Sequence, residues 1–236
     1  MDLMTVLFVT GIRTGSGADV TTAVQPVAWI VVLALSTLGA HMIGGARLAM
    51  LTAGGLFYIA VFGFHTEAMQ TVISVVMSTA VSVALGIAIG AAALKRPWPA
   101  APIEGAMNVM QTVPVFAYLV PTLLFLGYGP SAAMVATVIY ALPPMVHATM
   151  LGLKGVPDEI VEFGRMAGAS RRAMFWKIKL PVALPALAVG INQSIMAALN
   201  IVVIASMIGA GGLGYVVLIA LRKLDIGGAL EAGLAI

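Results

Sequence analysis

The sequence predicts an all-α polytopic membrane protein, and three observations support this fold class. Hydrophobic residues make up 61% of the 236-residue chain and charged residues only 9%, whereas about a quarter of the residues in a soluble domain are charged. The mean hydropathy is +1.08. The apolar runs are long and unbroken, unlike the short alternating strands of a membrane barrel. Because the chain contains no cysteine, disulfides, thiolate metal sites and cysteine nucleophiles are excluded.

Stretches without charge position the membrane spans. Residues 105–153 contain no Asp, Glu, Lys or Arg, and residues 48–94 contain only Glu67. Because about 20 helical residues cross the hydrocarbon, each stretch predicts two crossings, with turns at 64–67 and 127–130. The predicted spans are 26–46, 47–64, 68–94, 110–127, 131–151 and 182–207.

The two ends of the chain fit this scheme less well. Leu3–Thr10 is apolar but too short to span and lacks a basic flank, so an interfacial segment, or the end of a longer natural N-terminus, is expected rather than a signal peptide. The apolar run from Gly227 to Ile236 is also too short to cross. We therefore expect the last helix to be truncated.

The distribution of basic residues predicts the orientation. If the loop at 152–179 is cytoplasmic, nine of the 12 Lys and Arg residues lie on the cytoplasmic side and three outside. This satisfies the positive-inside rule and places the N-terminus outside. The net charge of +3 then reflects membrane topology, and no nucleic-acid partner is expected.

Small residues recur every four positions in the third predicted span. They are Ser74, Ser78, Ser82, Gly86 and Gly90. This spacing places them on one helix face, where small side chains let helices approach closely within a membrane. A helix–helix seam is the favoured interpretation, and a substrate path along this face is the alternative.

The segment from Val156 to Pro181 is the most polar part of the chain between predicted spans. Pro157 suits a helix start, followed by acidic residues that stabilise a helix N-terminus, and Glu162 can pair with Arg165. Gly164 and Gly168 are expected to interrupt this helix. Ser170 can then cap a second short helix that carries Arg171, Arg172 and Lys177. By chemistry alone, a partner protein and the lipid headgroups are equally good surfaces for this segment.

From Glu162 the segment reads EFGRMAGASRRAMFWKIKLP, which resembles the "EAA" loop of permease subunits of bacterial ABC importers. That pattern is Glu-Ala-Ala, three residues, Gly, nine residues, Ile, one residue, Leu-Pro. Phe163 and Gly164 replace the two alanines, while the other positions stay in register: Glu162, Gly168, Ile178, Leu180 and Pro181. Further stretches resemble the glycine betaine/proline subfamily: MQTVPVFAYLVP from Met110, YALPPMV from Tyr140, NQSIMAALNIVVIASMIGAGGLG from Asn192 and RKLDIGGA from Arg222.

The resemblance covers roughly residues 68–236 and implies the type I ABC importer permease fold, with six to seven transmembrane helices in the bacterial inner membrane. It divides the chain into an N-terminal part, 1–67, and a permease core, 68–236. It implies a homodimer of permeases, two cytosolic ATPase subunits, an extracytoplasmic solute-binding protein and contact with membrane lipid. The implied cargo is a compatible solute such as glycine betaine, proline betaine or choline, used in osmoprotection.

The chain has no Gly-x-x-x-x-Gly-Lys-Ser/Thr phosphate loop, so ATP and magnesium are expected on the partner ATPase and no cofactor on this chain. We therefore expect a transport subunit rather than an enzyme, without catalytic residues. The three histidines have no metal-ligand spacing, so no metal site is expected.

The resemblance assigns contact with the ATPase to seven residues of the loop, which are Glu159, Glu162, Phe163, Gly164, Gly168, Ala169 and Arg171. Positive-inside anchoring is the alternative role for Arg171. Polar groups and breaks within spans indicate a translocation path or gate at Gln111, Tyr118, Asn192, Gln193, Gly211 and Gly212. Amide side chains also hold membrane helices together, so a structural role for Asn192 and Gln193 stays open.

Three alternative functions remain. The permease could carry another small solute, such as an amino acid or trimethylamine oxide. An ion-coupled secondary transporter would need intramembrane acids or bases. The spans hold almost none, and Glu231 in the truncated last helix is the exception. An intramembrane serine protease would have to use Ser194 or Ser206 with His147, but no nucleophile motif surrounds either serine. Binding of a cytosolic ATPase would distinguish the importer from the last two.

Overall fold

The computed structural model describes residues 12–14, 21–24, 29–94 and 100–236. Two short strands, β1 (Ile12–Thr14) and β2 (Thr21–Val24), form an antiparallel pair. The remaining elements are helical, which confirms the all-α class. They are α1 (Trp29–Val61), α2 (His65–Ala93), α3 (Ala100–Thr112), α4 (Phe116–Leu126), α5 (Pro130–Lys154), α6 (Asp158–Met166), α7 (Arg171–Ala173), a π-helical segment (Met174–Lys179), α8 (Leu180–Ala205), a 3-10 turn (Ser206–Ile208), α9 (Leu213–Arg222) and α10 (Ile226–Ala235). The predictions for Leu3–Thr10, Lys95 and Arg96 fall outside the described residues.

Within the described residues, four helices are long and apolar enough to cross a membrane, and a bent pair of helices can form a fifth span. The sequence predicts six or seven, and the difference arises first in α1. In α1, two helices meet at a kink at Gly45 (φ 72°, ψ −166°), next to the predicted boundary between the spans 26–46 and 47–64, and together they count as one apolar helix. Glycine adopts a positive φ without steric cost, which permits the kink at this position.

The predicted span 110–127 is not a straight helix: it is broken, and α3 and α4 meet at an angle of 100°. Pro114 lies in the break. It lacks an N–H group and its ring disfavours helical geometry at Val113, so the helix ends before it. The predicted turns are confirmed: α1 ends before α2 begins at His65, and Gly127 and Gly129 join α4 to α5 with positive φ values of 72° and 156°.

The described residues form two compact units. One contains the described residues up to Ser74 together with Gly209–Ile236, and the other contains Val75–Ile208. The division into 1–67 and 68–236 that the resemblance implies remains a prediction about the family.

Helix α5 is the centre of the Val75–Ile208 unit. Its fully buried side chains include Met145, Val146 and Thr149. Glycines allow neighbouring helices to approach it closely: a Cβ at Gly86 of α2 would lie 2.6 Å from Cβ of Met145, and one at Gly190 of α8 would lie 2.5 Å from Cβ of Ala148. Close backbone approach at small residues is the usual way in which membrane helices pack.

The small-residue stripe of α2 faces α5, as the favoured interpretation predicts. A Cβ at Gly90 would lie 2.7 Å from Cβ of Thr149. About two helical turns before Gly90, Ser82 Oγ lies 3.0 Å from the carbonyl oxygen of Val138 and 2.8 Å from that of Ser78. The stripe is therefore a helix–helix seam over Ser82–Gly90.

Candidate functional site

The 156–181 segment forms a short helix, a tight turn and the beginning of a second helix, so the predicted turn is confirmed but the second helix is not short. Helix α6 begins directly after Pro157, with Asp158 and Glu159 in its first turn. The N–H group of Ala169 donates to the carbonyl of Gly164 (3.0 Å), and the N–H group of Gly168 donates to that of Arg165 (3.0 Å). Since Gly168 has a φ of 73°, it supplies the left-handed residue that ends many helices.

The expectation that Gly164 interrupts the helix is wrong. Gly164 lies inside α6 and is buried. A Cβ at this position would lie 2.5 Å from Cδ1 of Ile178 and 2.8 Å from Cε of Met174. Gly164 therefore marks the surface where α6 packs against the π-helical segment, and this packing outweighs its poor helix propensity.

The second half of the segment begins at Ser170. The Ser170 side chain accepts a hydrogen bond from the N–H group of Ala173 (3.2 Å), which confirms the predicted N-cap. Helix α7 then continues without a break through the π-helical residues into α8, so that one helix runs from Arg171 to Ile208. Sequence reasoning missed the π-helical register, because a π-helix has no composition that distinguishes it from an α-helix.

Helix α6 exposes apolar side chains on the face opposite its packing surface. Val161 and Gly164 are buried, whereas Phe163 is 68% exposed and Met166 is 81% exposed. Glu159 and Glu162 are also exposed. The helix thus has one face that anchors it to the unit and a second apolar face bordered by carboxylates.

The predicted Glu162–Arg165 ion pair does not form. Within the described residues, the salt bridge that does form joins Lys154, at the end of α5, to Glu104 of α3. This pair links the first arm of the bent α3–α4 helix to the end of α5, two residues before the 156–181 segment. Both side chains are partly exposed, so we expect it to contribute less than about 1 kcal/mol.

Of the residues predicted for the path, Tyr118 lies at the α3–α4 bend and contacts both α3 and α5. Tyr118 of α4 donates its hydroxyl to the carbonyl of Met110 in α3. Its ring meets that of Tyr140 edge-on, with centroids 6.1 Å apart. Tyr118 therefore bridges the break at Pro114, while Gln111 lies exposed near the end of α3.

The amides predicted for the path lie on α8 in the same unit. Asn192 and Gln193 are exposed, and Ser194 beside them is fully buried. Their exposure on the surface of this unit fits either role that the sequence leaves open. Among the described residues, no group of three His, Asp or Glu side chains is placed to hold a metal ion.

The predicted gate glycines belong to the other unit and are held by polar side chains of α2. The N–H group of Gly212 donates to Oε1 of Gln70 (3.0 Å), and that of Leu213 donates to Oγ1 of Thr71 (2.8 Å). The Thr71 hydroxyl in turn donates to the carbonyl of Glu67 (2.9 Å). Gln70 and Thr71 thus cap the start of α9 from another helix, while Gly211 beside them stays exposed.

Sequence reasoning missed Gln70 and Thr71. No local pattern could have identified them, because they act on residues 142 positions away in the chain. Gly212 has a φ of 80° and a ψ of −163°, a region open almost only to glycine. A Cβ there would lie 2.4 Å from Oγ1 of Thr71.

Comparison with known proteins identifies relatives over most of the chain. The family described as "Binding-protein-dependent transport system inner membrane component" matches residues 82–236. The glycine betaine/proline betaine transport system permease protein ProW of Escherichia coli is 39% identical over 211 residues, which cover 89% of this chain and 58% of ProW. The trimethylamine N-oxide transport system permease protein TmoV of Pelagibacter ubique is 38% identical over 208 residues, which cover 88% of this chain and 29% of TmoV.

The fold also resembles that of a solved transporter. A structure of the MetNI methionine ABC transporter in an inward-facing conformation matches with a TM-score of 0.59 and 20% identity, over 75% of this chain and 98% of the matched chain. This likeness supports the type I permease fold. The chain spans little more than half the length of ProW and about a third of TmoV.

Proposed function

The chain belongs to the family of binding-protein-dependent transport system inner membrane components, and we propose that it is the permease subunit of an ATP-driven importer of a compatible solute. The proposed cargo is glycine betaine or a related quaternary ammonium compound such as proline betaine or choline. The identity to a glycine betaine/proline betaine permease supports this cargo class. Membership in an inner-membrane family and the apolar spans agree with the predicted location.

The observation that carries the proposal is the second apolar face of α6. Phe163 and Met166 are 68% and 81% exposed, and they lie on a polar segment between two spans. Exposed apolar side chains that cluster in this way are typical of a protein interface. We propose that they insert into a groove on a cytosolic ATPase, with Glu159 and Glu162 at the rim of the contact. Ala169 and Arg171, at the turn after α6, would also contact the ATPase.

The internal packing of the segment suggests how it transmits motion. Because Gly164 lets α6 lie directly against Ile178 and Met174, α6 and the π-helical residues would move as one body. The chain enters this body from α5 and leaves it through the continuous helix that includes α8. A displacement of the docked segment would therefore reach two spans at once and bias them between inward-open and outward-open states.

The assembly that we propose contains two copies of this chain, two ATPase subunits and an extracytoplasmic solute-binding protein. ATP and magnesium would bind to the ATPase subunits, since this chain has no phosphate loop. Gln111, Tyr118, Asn192 and Gln193 remain candidates for the path. Gly211 and Gly212 remain candidates for a gate.

The test is solute-dependent ATP hydrolysis and uptake in proteoliposomes that contain this chain, its ATPase and its binding protein. We expect glycine betaine to stimulate both activities and uptake to stop without ATP. Uptake that continues without ATP, or a chain that purifies without any ATPase, would contradict the importer reading.

A matched pair of variants tests the docking surface. Phe163→Ala removes most of a side chain that docking would bury, which is expected to weaken ATPase binding about tenfold or more. Phe125→Ala is the control, because Phe125 is 88% exposed at the end of α4, outside the 156–181 segment. Equal ATPase retention by the two variants would refute the role of Phe163.

Trimethylamine N-oxide is the second candidate cargo, because the identity to TmoV nearly equals that to ProW. Both solutes present a compact head without a donor N–H group. Stimulation by trimethylamine N-oxide but not by glycine betaine in the same assay would favour this candidate.

A further inference from the structure

The residues that follow Ser170 form a basic cleft at the start of α8. Ser170, Arg172, Ala173, Trp176 and Lys177 line an open cavity of about 380 Å³. The indole of Trp176 is 59% exposed. No carboxylate occurs in the chain between Glu162 and Asp225, and in the described part of the chain neither Arg172 nor Lys177 forms a salt bridge.

The π-helical register contributes to this arrangement. In a π-helix the hydrogen bonds run from residue i to i+5, so the fifth residue lies where the fourth would lie in an α-helix. This geometry in Met174–Lys179 helps Arg172 and Lys177, which are five positions apart, to line the same cleft. Single-turn π segments within α-helices occur frequently at functional sites.

The cleft is supported from beneath. The ring of Phe175 meets that of Trp176 edge-on, with centroids 5.4 Å apart and planes at 89°. Phe175 itself packs against the buried cluster of Met145, Leu153 and Ala183. Trp176 therefore lines the cleft in contact with a well-packed ring.

We infer that this cleft binds the headgroup of an anionic phospholipid. Helix α8 begins at Leu180, three residues after Lys177, and continues as an apolar span, so the cleft lies where a membrane span meets water. Arg and Lys are suited to phosphate oxygens, and tryptophan prefers the headgroup level of a bilayer. Basic pockets at the cytoplasmic ends of membrane helices bind such headgroups.

This assignment separates the two surfaces of the 156–181 segment. The apolar face of α6 is left for a protein, while the charged cleft after Ser170 is directed to the membrane. The inference rests on membrane insertion and not on the identity of the cargo, so a failure of the transport assay would leave it standing.

Quenching of Trp176 fluorescence tests the inference. The chain has three tryptophans, so W29F/W98F leaves Trp176 as the only reporter. The full-length chain is placed in phosphatidylcholine nanodiscs with increasing fractions of lipid brominated on the acyl chain. We expect brominated phosphatidylglycerol to quench at lower mole fractions than brominated phosphatidylcholine.

Variants assign the preference to the cleft. R172Q/K177Q should shift half-maximal quenching by phosphatidylglycerol to higher mole fraction by up to about 25-fold, because each basic residue contributes a factor of about five. R172K/K177R should keep the preference. R222Q/K223Q is the charge-matched control in the other unit and should also keep it.

Four results would overturn the inference. They are equal quenching by both lipids in the parent protein, a preference that survives R172Q/K177Q, a preference that R222Q/K223Q removes equally well, and recovery of fluorescence on addition of millimolar glycerol 3-phosphate, which would indicate a site for a free phosphate. Loss of a co-purifying ATPase from R172Q/K177Q with an unchanged lipid preference would assign the cleft to a protein carboxylate instead.

Discussion

Among the glycines of the described residues, Gly212 is the one at which an added Cβ would make the closest contact, so we expect Gly212→Ala to be strongly destabilising. The added Cβ would lie 2.4 Å from Oγ1 of Thr71, 3.0 Å from the carbonyl oxygen of Glu67 and 3.1 Å from the backbone nitrogen of Thr71. Two of these atoms belong to the backbone of α2 and cannot rotate away. The loop before α9 would have to move off α2.

Two contributions determine the free energy by which Gly212→Ala destabilises the loop before α9. Alanine at a φ of 80° and a ψ of −163° adds about 1–3 kcal/mol of backbone strain. Displacement of the loop also breaks the hydrogen bond from Leu213 to Thr71 (2.8 Å), worth about 1 kcal/mol. The sum of about 2–4 kcal/mol corresponds to a loss of protection of about thirtyfold or more.

Hydrogen exchange measured by mass spectrometry is the suitable assay, because it reports on local opening. Peptides that contain the amides of Gly212 and Leu213 should exchange at least thirtyfold faster in Gly212→Ala. Gly233→Ala is the matched control, since a Cβ at Gly233 meets nothing within 4 Å and α10 is helical there. Unchanged exchange at Gly212 and Leu213 would refute the capping role of Gln70 and Thr71.

Three further predictions use other contacts. Gly164→Leu should separate α6 from the π-helical segment and abolish ATPase retention, whereas Gly105→Leu, at a position with open space, should not; retention by both would refute the packing argument. Gly168→Val should cost about 1–2 kcal/mol through its φ of 73° and uncouple ATP hydrolysis from uptake, while Gly168→Asn, which tolerates this geometry, should retain coupling; normal uptake by Gly168→Val would count against the role of the turn. Tyr118→Phe removes the hydroxyl that bridges the α3–α4 bend and should accelerate exchange of the α4 amides, whereas Tyr128→Phe, exposed in the loop after α4, should leave it unchanged; equal rates in the two variants would contradict this.

Local signals predicted the parts of the fold that depend on neighbouring residues. The charge-free stretches predict the helices and the turn at Gly127–Gly129, and the side chain of Ser170 together with the helix after it predicts a cap. The kink at Gly45 lies next to the predicted boundary at 46/47, and the 100° bend at Pro114 lies inside the predicted span 110–127, but neither geometry is predictable from the sequence. The sequence does not reveal whether a glycine or proline produces a turn, a kink or a bend, because that depends on the helices packed beside it.

In the candidate site, too, the contacts between residues that are distant in the chain could not be predicted from the sequence. The register of the 156–181 segment predicted the turn at Gly168, but the role of Gly164 depends on Ile178 and Met174 lying against it. The caps that Gln70 and Thr71 provide are invisible in the sequence, since any polar side chain on α2 could have served. Contacts between distant parts of the chain therefore account for most of what sequence reasoning missed.

Phe163 and Gly164, which replace the two alanines of the Glu-Ala-Ala pattern, have complementary effects on α6. Phe163 and Gly164 are adjacent in the chain but lie on opposite faces of α6, with Phe163 exposed and Gly164 buried. Volume is removed on the inner face, where Ile178 and Met174 fill the space, and volume is added on the outer face, where a partner would bind.

If the partner groove is shaped for this chain, the double replacement F163A/G164A should pack acceptably inside, because the atoms nearest the new Cβ are the mobile ends of side chains. It should nevertheless lose ATPase affinity to the same extent as Phe163→Ala alone. A double variant that binds the ATPase more tightly than the single one would show that the two positions compensate through the helix itself, and the separation of an inner packing face from an outer docking face would then be wrong.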